Sequence, residues 1–303
     1  MASEAQSSHE GAGARPRKNP RWLPLESNPD ILNEFMERVG VTTSAKFTDV
    51  VSLAPELLGM IPEPVLAVCL LFPSKAVRKP RLEQLAGQHV ARRAPPSSFF
   101  LTQHSEFGNA CGTIAAVHAV GNLARGGQID LQPGSPIDVY LAESAGKDAD
   151  QLGWDLANAT TLHEASEEAA KSKRSQTKTP GRSDKVDGHF VVFVAIEGRL
   201  VELDGCMGFP IDHGPAESVL QAAASVIRDQ FIALAPNNPN FSVMALCPSE
   251  DSGGRGARSS DATSLDDTKV SQLAAMGFDP AAAAAVLASC GGDIDTAVSL
   301  LCG

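Results

Sequence analysis

Apolar and polar positions alternate along the chain with periods that predict both helices and strands. Apolar residues at helical spacing predict a helix over residues 29–40, with Ser27 or Asn28 as its N-cap and Pro29 in its first position. A continuous apolar run over residues 65–72, bounded by prolines, predicts a buried central strand. The chain therefore combines the two types of element.

Weaker patterns predict further elements. Strands are predicted for three short apolar segments: residues 47–53, 99–102 and 241–246. Helical structure is predicted for three others: residues 57–60, 133–170 (on the surface) and 216–234. Residues 74–96 are charged and are predicted to be irregular. Residues 171–185, rich in Lys and Arg, predict a long exposed loop, which is either a lid over a functional site or disordered.

A β-hairpin is predicted around Glu197-Gly198, which favours a two-residue turn between an apolar, β-branched run and a second strand ending at residue 204. In this register Asp204 falls opposite Val191 and is a diagonal neighbour of His189 on the same face, about 7–8 Å away between backbones. A turn one residue longer would put the two side chains on opposite faces. The pattern therefore predicts a contact between the His189 imidazole and the Asp204 carboxylate.

A cysteine stands at the start of the strongest helical pattern. Cys111 lies between small residues, an alanine-rich run follows it to about residue 123, and Gly126-Gly127 would end the helix. Asn109 is the predicted N-cap. In the first turn of a helix, free backbone amides and the helix dipole favour a thiolate. This stretch taken alone fits a buried structural cysteine equally well.

Together these two regions predict nucleophilic catalysis. Cys111 supplies the thiolate, His189 is the base that later protonates the leaving amine, and Asp204 orients the imidazole. The backbone amide of Cys111 and the side chain of Gln103 are the candidate donors to an oxyanion, with Asn109 as a weaker candidate.

Other histidines and carboxylates compete for these roles. His118 lies about 10.5 Å along the helix from Cys111, too far for a hydrogen bond, and is predicted to be a packed helix residue. His104 precedes the helix, and nothing near it in sequence would orient it. The remaining candidates lack a strand or lie in a predicted loop: His163, His213, Asp184 and Asp187.

Composition narrows the class of protein. A net charge of −11 over 303 residues makes nucleic acid an unfavourable partner and a basic protein surface a favourable one. No apolar run is long enough to cross a membrane, and the polar N-terminal segment predicts no secretion. We expect a cytoplasmic protein, and a basic cluster over residues 15–21 is compatible with a nuclear location too. Six scattered cysteines without paired spacing predict no metal, no cofactor and no disulfide framework.

Shifts in composition divide the chain into four parts. Residues 1–19 are predicted to be a disordered tail, and residues 249–264, which lack large apolar side chains, a flexible linker. Residues 20–248 form the predicted catalytic domain. Residues 265–303 form a small separate unit of three short helical patterns.

Five short segments carry a family resemblance. They are Arg21-Trp22-Leu23-Pro24-Leu25-Glu26, Pro55-Glu56-Leu57-Leu58, Asn109-Ala110-Cys111-Gly112-Thr113, His189-Phe190 and Glu202-Leu203-Asp204-Gly205. The chain over about residues 20–248 resembles the ubiquitin C-terminal hydrolase family of cysteine deubiquitinases. This resemblance implies an α+β, papain-like core with an antiparallel sheet flanked by helices and a knotted backbone. It also implies a crossover loop over the active site, here about residues 163–185, that restricts substrates to ubiquitin carrying small or flexible leaving groups.

The spacing before Cys111 departs from that family. The family's oxyanion glutamine usually lies six residues before the cysteine, whereas Gln103 lies eight before it and Ser105 holds the six-residue position. Residues 99–103 still resemble the family's lead-in, so we interpret the segment Glu106-Phe107-Gly108 as containing a two-residue insertion. Gln103 keeps its role if this insertion bulges out.

The C-terminal unit resembles a ubiquitin-associated (UBA) domain, a three-helix bundle. Met276-Gly277-Phe278 matches that family's first loop, and Leu300-Leu301 matches the end of its third helix. The resemblance implies that Met276, Gly277, Phe278, Leu300 and Leu301 bind the hydrophobic patch of ubiquitin.

The resemblance implies a monomeric, thiol-dependent hydrolase that cleaves after the C-terminal glycine of ubiquitin, with ubiquitin adducts or chains as partners. Preference for a close ubiquitin-like modifier stays open. The displaced Gln103 favours the alternative of a ubiquitin receptor or scaffold that binds but barely cleaves.

Overall fold

A computed structural model of the chain describes residues 21–42, 45–87 and 94–249. The chain divides into two units, Met1–Ser252 and Gly253–Gly303, and all described residues belong to the first. The predicted tail and the predicted linker beyond Ser249 therefore lie outside the described residues. So do Met276, Gly277, Phe278, Leu300 and Leu301. In the part of the chain that the structure describes, no helix combines the length and the apolar character needed to cross a bilayer.

One six-stranded antiparallel sheet forms the centre of the described domain, with the spatial strand order β1-β6-β2-β3-β4-β5. Its strands are β1 (Ala45–Asp49), β2 (Ala67–Pro73), β3 (Gly188–Ile196), β4 (Arg199–Leu203), β5 (Ile211–Pro215) and β6 (Ser242–Pro248). The continuous apolar run that predicted a central strand is β2, which lies between β6 and β3. Strand β5 was not predicted.

Eight helices are described: α1 (Pro29–Val39), α2 (Pro55–Leu58), α3 (Ser74–Gly87), α4 (Cys111–Arg125), α5 (Pro136–Ala142), α6 (Ala149–Asn158), α7 (Thr160–Ala170) and α8 (Val219–Gln230). Two single 3₁₀ turns cover Ser105–Phe107 and Ile232–Leu234. One apolar cluster joins α1, α4 and α7 to the sheet, and a second joins α8 to it. The helices thus flank the sheet and confirm the α+β class. The implied knot stays a prediction.

The first helix forms where its pattern predicts it. The Asn28 side chain accepts a hydrogen bond from the amide of Asp30, which satisfies one free donor of the first turn. Gly40 ends the helix with a φ of 98°, a conformation that glycine adopts without steric cost. Five apolar residues of this helix are buried, so both its ends and its inner face follow from the sequence.

The prediction of an irregular segment after β2 is wrong, because residues 74–87 form α3. Charged residues and an internal Pro80 conceal its inner face. Arg81 is buried there, where its guanidinium donates to Glu202 and to Gln230. These partners lie 121 and 149 residues away in sequence, so a local pattern cannot show that Arg81 faces inward.

Two other predictions need correction. Residues 99–102 form no strand, because the amides of Phe99 and Leu101 donate to the side chains of Asn122 and His118 on α4, at 2.8 and 3.0 Å. The region 133–170 does form helices, but α7 does not lie wholly on the surface. Six of its residues are buried, and it packs against α1.

The predicted hairpin is present in the predicted register. Ile196 pairs with Arg199, and Val192 pairs with Leu203. Glu197 and Gly198 form the two-residue turn, with φ angles of 51° and 72°. Two successive positive φ angles match the right-handed twist of the flanking strands. This register puts Asp204, the residue after β4, directly beyond the Val192–Leu203 pair.

Candidate active site

Cys111 is the first residue of α4, as the pattern predicts. The prediction of Asn109 as the N-cap is wrong. Ala110 holds that position without a side-chain hydrogen bond, and the side-chain Nδ2 of Asn109 donates to the carbonyl oxygen of Asp184 at 3.1 Å. The first helical turn therefore has no side-chain cap that competes with an anion for its amides and for the positive end of the dipole.

His189 and Asp204 form the contact that the hairpin register predicts. His189 follows Gly188 at the start of β3, and Asp204 directly follows β4. Nε2 of His189 lies 2.8 Å from Oδ1 of Asp204, and both side chains are buried. The amide of Cys206 donates to the same Oδ1 at 2.8 Å, and the Phe72 ring packs perpendicular to the imidazole. These contacts fix the carboxylate and the ring.

The three side chains are electrostatically coupled. Burial alone would raise the pKa of Cys111, but its hydrogen bond with His189 and the charge of that imidazole, with the Phe190 backbone, lower the pKa below its ordinary value. Burial alone would lower the pKa of His189, but the charge and hydrogen bond of Asp204, with Cys111, raise it well above its usual range. The lowered pKa of Cys111 and the raised pKa of His189 both favour a thiolate–imidazolium pair, which is the reactive form of a cysteine nucleophile.

Gln103 is held close to the start of α4. Its amide nitrogen donates to the carbonyl oxygen of Gly205, the residue after Asp204, at 2.7 Å. Its side-chain Nε2 donates to the carbonyl oxygen of Gly108 at 3.0 Å. A primary amide carries two N–H donors, so the second stays available to an oxyanion. Among the described residues the buried Oε1 finds no hydrogen-bond partner.

The two-residue insertion does not simply bulge into solvent. Residues 105–107 form a 3₁₀ turn that buries Phe107 fully against Trp154. Gly108, with a φ of 63°, returns the chain so that its carbonyl oxygen meets Gln103. Ser105, which holds the six-residue position, is exposed and donates to Glu106. The geometry therefore supports Gln103 over Ser105 as the oxyanion donor.

Arg78 is a site residue that the sequence analysis missed. Its guanidinium donates to the carbonyl oxygen of Cys206 at 3.2 Å. Burial alone would raise the pKa of Asp204, but His189, the Cys206 amide and the charge of Arg78 lower it below its ordinary value. Arg78 therefore helps to keep the orienting carboxylate ionised. It was missed because α3, on which it lies, was not predicted.

The competing histidines have other partners. His118 is fully buried, as predicted, and accepts from the Leu101 amide. His104 is oriented after all, since its ring stacks on Trp154 at 4.1 Å. The two histidines predicted to lack a strand context differ: His163 is on α7, whereas His213 lies in β5, and its Nε2 is 2.8 Å from Glu202.

The two rival carboxylates have partners away from His189. Oδ2 of Asp184 accepts from the amide of Gly181 at 2.8 Å. Oδ1 of Asp187 accepts from the amide of Lys75 at 2.9 Å. Both carboxylates hold the backbone of the segment that precedes β3.

The long basic loop is anchored at several points. Glu26 accepts from the amide of Gln176 at 3.1 Å and from the amide of Thr177 at 3.4 Å. Arg182 donates to both carboxylate oxygens of Glu167 at 2.5 and 2.6 Å. Beside the loop lies a cleft of about 280 Å³. Six of the residues lining it are Leu25, Asn109, Cys111, Thr179, Pro180 and Phe190.

Two family models match the chain. Residues 22–232 match the model described as "Ubiquitin carboxyl-terminal hydrolase, family 1". Residues 265–301 match the UBA/TS-N domain.

Relatives and solved structures are similar to the chain over most of its length. The ubiquitin carboxyl-terminal hydrolase isozyme L1 of Monodelphis domestica is 37% identical over 232 residues, which are 74% of this chain and 97% of that protein. Isozyme L1 of Homo sapiens is 36% identical, with the same coverage. The Trichinella spiralis UCH37 catalytic domain, solved bound to ubiquitin vinyl methyl ester, has a similar fold. Its TM-score is 0.59 at 20% identity, and the match covers 76% of this chain and 96% of that one.

Proposed function

The chain belongs to the ubiquitin carboxyl-terminal hydrolase family, a family of thiol-dependent deubiquitinases, and we propose that Cys111, His189 and Asp204 perform its reaction. The observation that carries this proposal is the 2.8 Å contact between His189 and Asp204, coupled to a Cys111 thiol whose pKa is lowered despite burial, chiefly by hydrogen bonding to that imidazole. The reaction is hydrolysis of the bond after the C-terminal glycine of ubiquitin.

The first half of the reaction forms a thioester. The Cys111 thiolate attacks the glycine carbonyl carbon, and the carbonyl oxygen becomes an oxyanion. The Cys111 amide and the free N–H of Gln103 donate to that oxyanion. The His189 imidazolium gives its proton to the leaving amine as the C–N bond breaks. Asp204 holds the imidazole in one orientation and stabilises its charge throughout.

The second half regenerates the enzyme. His189, now neutral, takes a proton from a water molecule, whose oxygen attacks the thioester carbonyl carbon. The same two donors bind the second oxyanion. Its collapse breaks the C–S bond and releases ubiquitin with a free C-terminal carboxyl group, which loses its proton to solvent. The Cys111 thiolate again faces the His189 imidazolium.

Substrate size is limited by the loop over residues 171–185. Contacts with Glu26, Glu167 and Asn109 anchor this loop beside the cleft that Cys111 lines. A substrate must bring its scissile bond to Cys111 past this segment. The arrangement supports small or flexible leaving groups and disfavours folded ones.

The UBA segment supplies a second ubiquitin contact. We infer that its residues Met276, Gly277, Phe278, Leu300 and Leu301 bind ubiquitin's apolar patch, and that a linker keeps this module near the catalytic domain at high effective concentration. Deleting residues 265–303 should leave hydrolysis of a small-adduct ubiquitin substrate nearly unchanged and weaken binding to polyubiquitin. Equal polyubiquitin binding by both chains would remove this role. We propose a cytoplasmic location, and the basic cluster over residues 15–21 is compatible with a nuclear location too.

A ubiquitin carrying a C-terminal electrophile tests the nucleophile directly. The full chain should gain the mass of one ubiquitin, with the adduct on Cys111 after proteolytic mapping. A Cys111→Ala variant should gain none and still bind unmodified ubiquitin. An adduct on another cysteine would contradict the assigned site, whereas binding without any adduct in the wild type would favour the receptor alternative.

A further inference from the structure

A second thiol lies beside the His189–Asp204 pair. Cys206 follows Asp204 by two residues in a tight turn that is closed by a hydrogen bond from the Met207 amide to the Asp204 carbonyl oxygen at 2.8 Å. One ligand atom from each of His189, Asp204 and Cys206 lies within 4.8 Å of the other two. His189 and Asp204 are buried, while Cys206 is partly exposed. The reaction described above makes no use of the Cys206 thiol.

These donors suit one chemical class of cation. Imidazole nitrogen, carboxylate oxygen and thiolate sulfur are the three ligand types that Zn²⁺ accepts in proteins, whereas Mg²⁺ and Ca²⁺ require oxygen ligands almost exclusively. Zinc sites with three protein ligands keep the fourth position for water. The partly exposed Cys206 gives an ion a route from solvent to such a position.

The spacing of the donors is close to that of a formed site. Atoms that all lie within 4.8 Å of one another fit within about 2.8 Å of a common point, which is that separation divided by the square root of three. Zinc bonds to nitrogen, oxygen and sulfur are about 2.0 to 2.3 Å long. Each donor therefore needs to move by less than about 1 Å. Side-chain rotation of this size leaves the backbone of the turn in place.

Some charges around the site favour a bound cation, and others oppose it. Asp204 is ionised, and a Cys206 thiolate would add a second negative charge. The guanidinium of Arg78, which donates to the Cys206 carbonyl oxygen, opposes a cation. The ion would take the place of the proton that His189 shares with Asp204. An ion that displaces this proton replaces one unit of positive charge by two, and the Cys206 thiolate compensates the difference.

We propose that His189, Asp204 and Cys206 form an inhibitory binding site for Zn²⁺. Binding releases the proton of the Cys206 thiol and the proton shared by His189 and Asp204, and it forms one bond each to sulfur, nitrogen and oxygen. No electron is transferred. The ion takes the place of the hydrogen bond that orients the imidazole, so that His189 no longer faces Cys111 as a base with an ionised partner.

Metal binding is measured first without catalysis, so that its result does not depend on the proposed reaction. In the full chain with Cys111→Ala, Co²⁺ should bind and produce a thiolate-to-metal absorption band, and Zn²⁺ should displace it. Adding Cys206→Ala should abolish the band and weaken Zn²⁺ binding at least about tenfold. Adding Cys247→Ala instead should leave both unchanged, because Cys247 is buried on β6. Thermal unfolding of each variant in chelator checks that it is folded.

Equal binding by the Cys111→Ala protein with and without Cys206 would overturn the proposal, and so would the absence of binding at micromolar Zn²⁺.

The second readout is inhibition of ubiquitin-amide hydrolysis, with each rate divided by that variant's own rate in chelator. Zn²⁺ should inhibit the wild type reversibly, Cys206→Ala should need at least about ten times more Zn²⁺, and Mg²⁺ should have no effect. Equal sensitivity of wild type and Cys206→Ala would exclude Cys206 as a ligand of the inhibitory ion and contradict the proposal.

Discussion

Nε2 of His189 lies 2.8 Å from Oδ1 of Asp204, although fifteen residues separate them in sequence. A two-residue turn at Glu197-Gly198 brings them together, since it fixes the register of β3 and β4. The site therefore depends on a backbone feature at the far end of the hairpin. A change of one residue in the turn would move Asp204 to the opposite face.

Replacing Asp204 with Asn should lower kcat by about 100-fold or more, because the imidazole loses the charge that orients and stabilises it. Asn keeps the size of the side chain and still accepts from the Cys206 amide, so the melting temperature should change little. Steady-state hydrolysis and thermal unfolding, measured side by side, check this. As a matched control, Asp187→Asn changes a carboxylate that accepts a hydrogen bond from the backbone amide of Lys75 and does not contact His189. A loss of activity of equal size there would contradict the assignment of Asp204.

The oxyanion donor is tested by two alanine variants. Gln103→Ala should reduce kcat by about 100-fold, because a side-chain oxyanion donor contributes about 10²–10³ in rate. Ser105→Ala should change the rate less than about twofold, since Ser105 is exposed and bound to Glu106. KM should change little in both. A larger loss for Ser105→Ala than for Gln103→Ala would overturn the assignment.

The buried His118 should make the folded protein less stable as the pH falls. Burial lowers the pKa of this fully buried imidazole to about 4, against an ordinary value of 6.5. Between these values the unfolded chain binds a proton that the folded chain excludes, so the free energy of unfolding falls as the pH falls. At about 1.4 kcal/mol per pH unit, the contribution approaches 3 kcal/mol by pH 4.

The measurement is urea unfolding at pH 7 and at pH 4.5 of the wild type and of His118→Gln, which cannot titrate. The two proteins differ in stability at pH 7 because the variant changes a packed ring, so the comparison is between their slopes with pH. Wild type should lose more stability over this interval than His118→Gln. Parallel slopes would show that His118 does not titrate on unfolding.

Arg182 anchors the loop over residues 171–185 to Glu167. Arg182→Ala removes the double contact with Glu167 and the hydrogen bond to the Arg21 carbonyl oxygen. The loop should open more often, and hydrolysis of ubiquitin bearing a folded leaving group should rise several-fold while that of a small amide stays constant. Lys173→Ala, an exposed loop residue of the same charge, is the control. If Arg182→Ala cleaves substrates with a folded leaving group no faster than the wild type does, this ion pair does not limit access.

The features that the sequence predicted have local causes. Caps and spacing set both ends of α1, and small residues followed by an alanine-rich run placed Cys111 at the start of α4. The turn at Glu197-Gly198 set the hairpin, and with it the His189–Asp204 contact. In each case, residues within one element and its flanks determine the geometry.

The features that the sequence did not predict depend on distant partners. Arg81 faces inward and pairs with Glu202 and Gln230, which are distant in sequence. The inner face of α3 is therefore partly charged, and its sequence shows no apolar helical period. His213 belongs to β5, a short strand whose pairing with β4 contains a register shift. Cys206 and His189 do not show the short spacing of a metal-binding sequence motif. The hairpin brings the two residues together.

The most direct test of the central claim is hydrolysis of a ubiquitin C-terminal amide that bears a small fluorescent leaving group, with the wild type beside Cys111→Ala. The account predicts turnover by the wild type and none by the variant, with both proteins folded and both binding ubiquitin. Turnover that survives in Cys111→Ala would contradict the assigned nucleophile. No turnover by the wild type, with ubiquitin still bound, would contradict the hydrolase mechanism and favour a receptor.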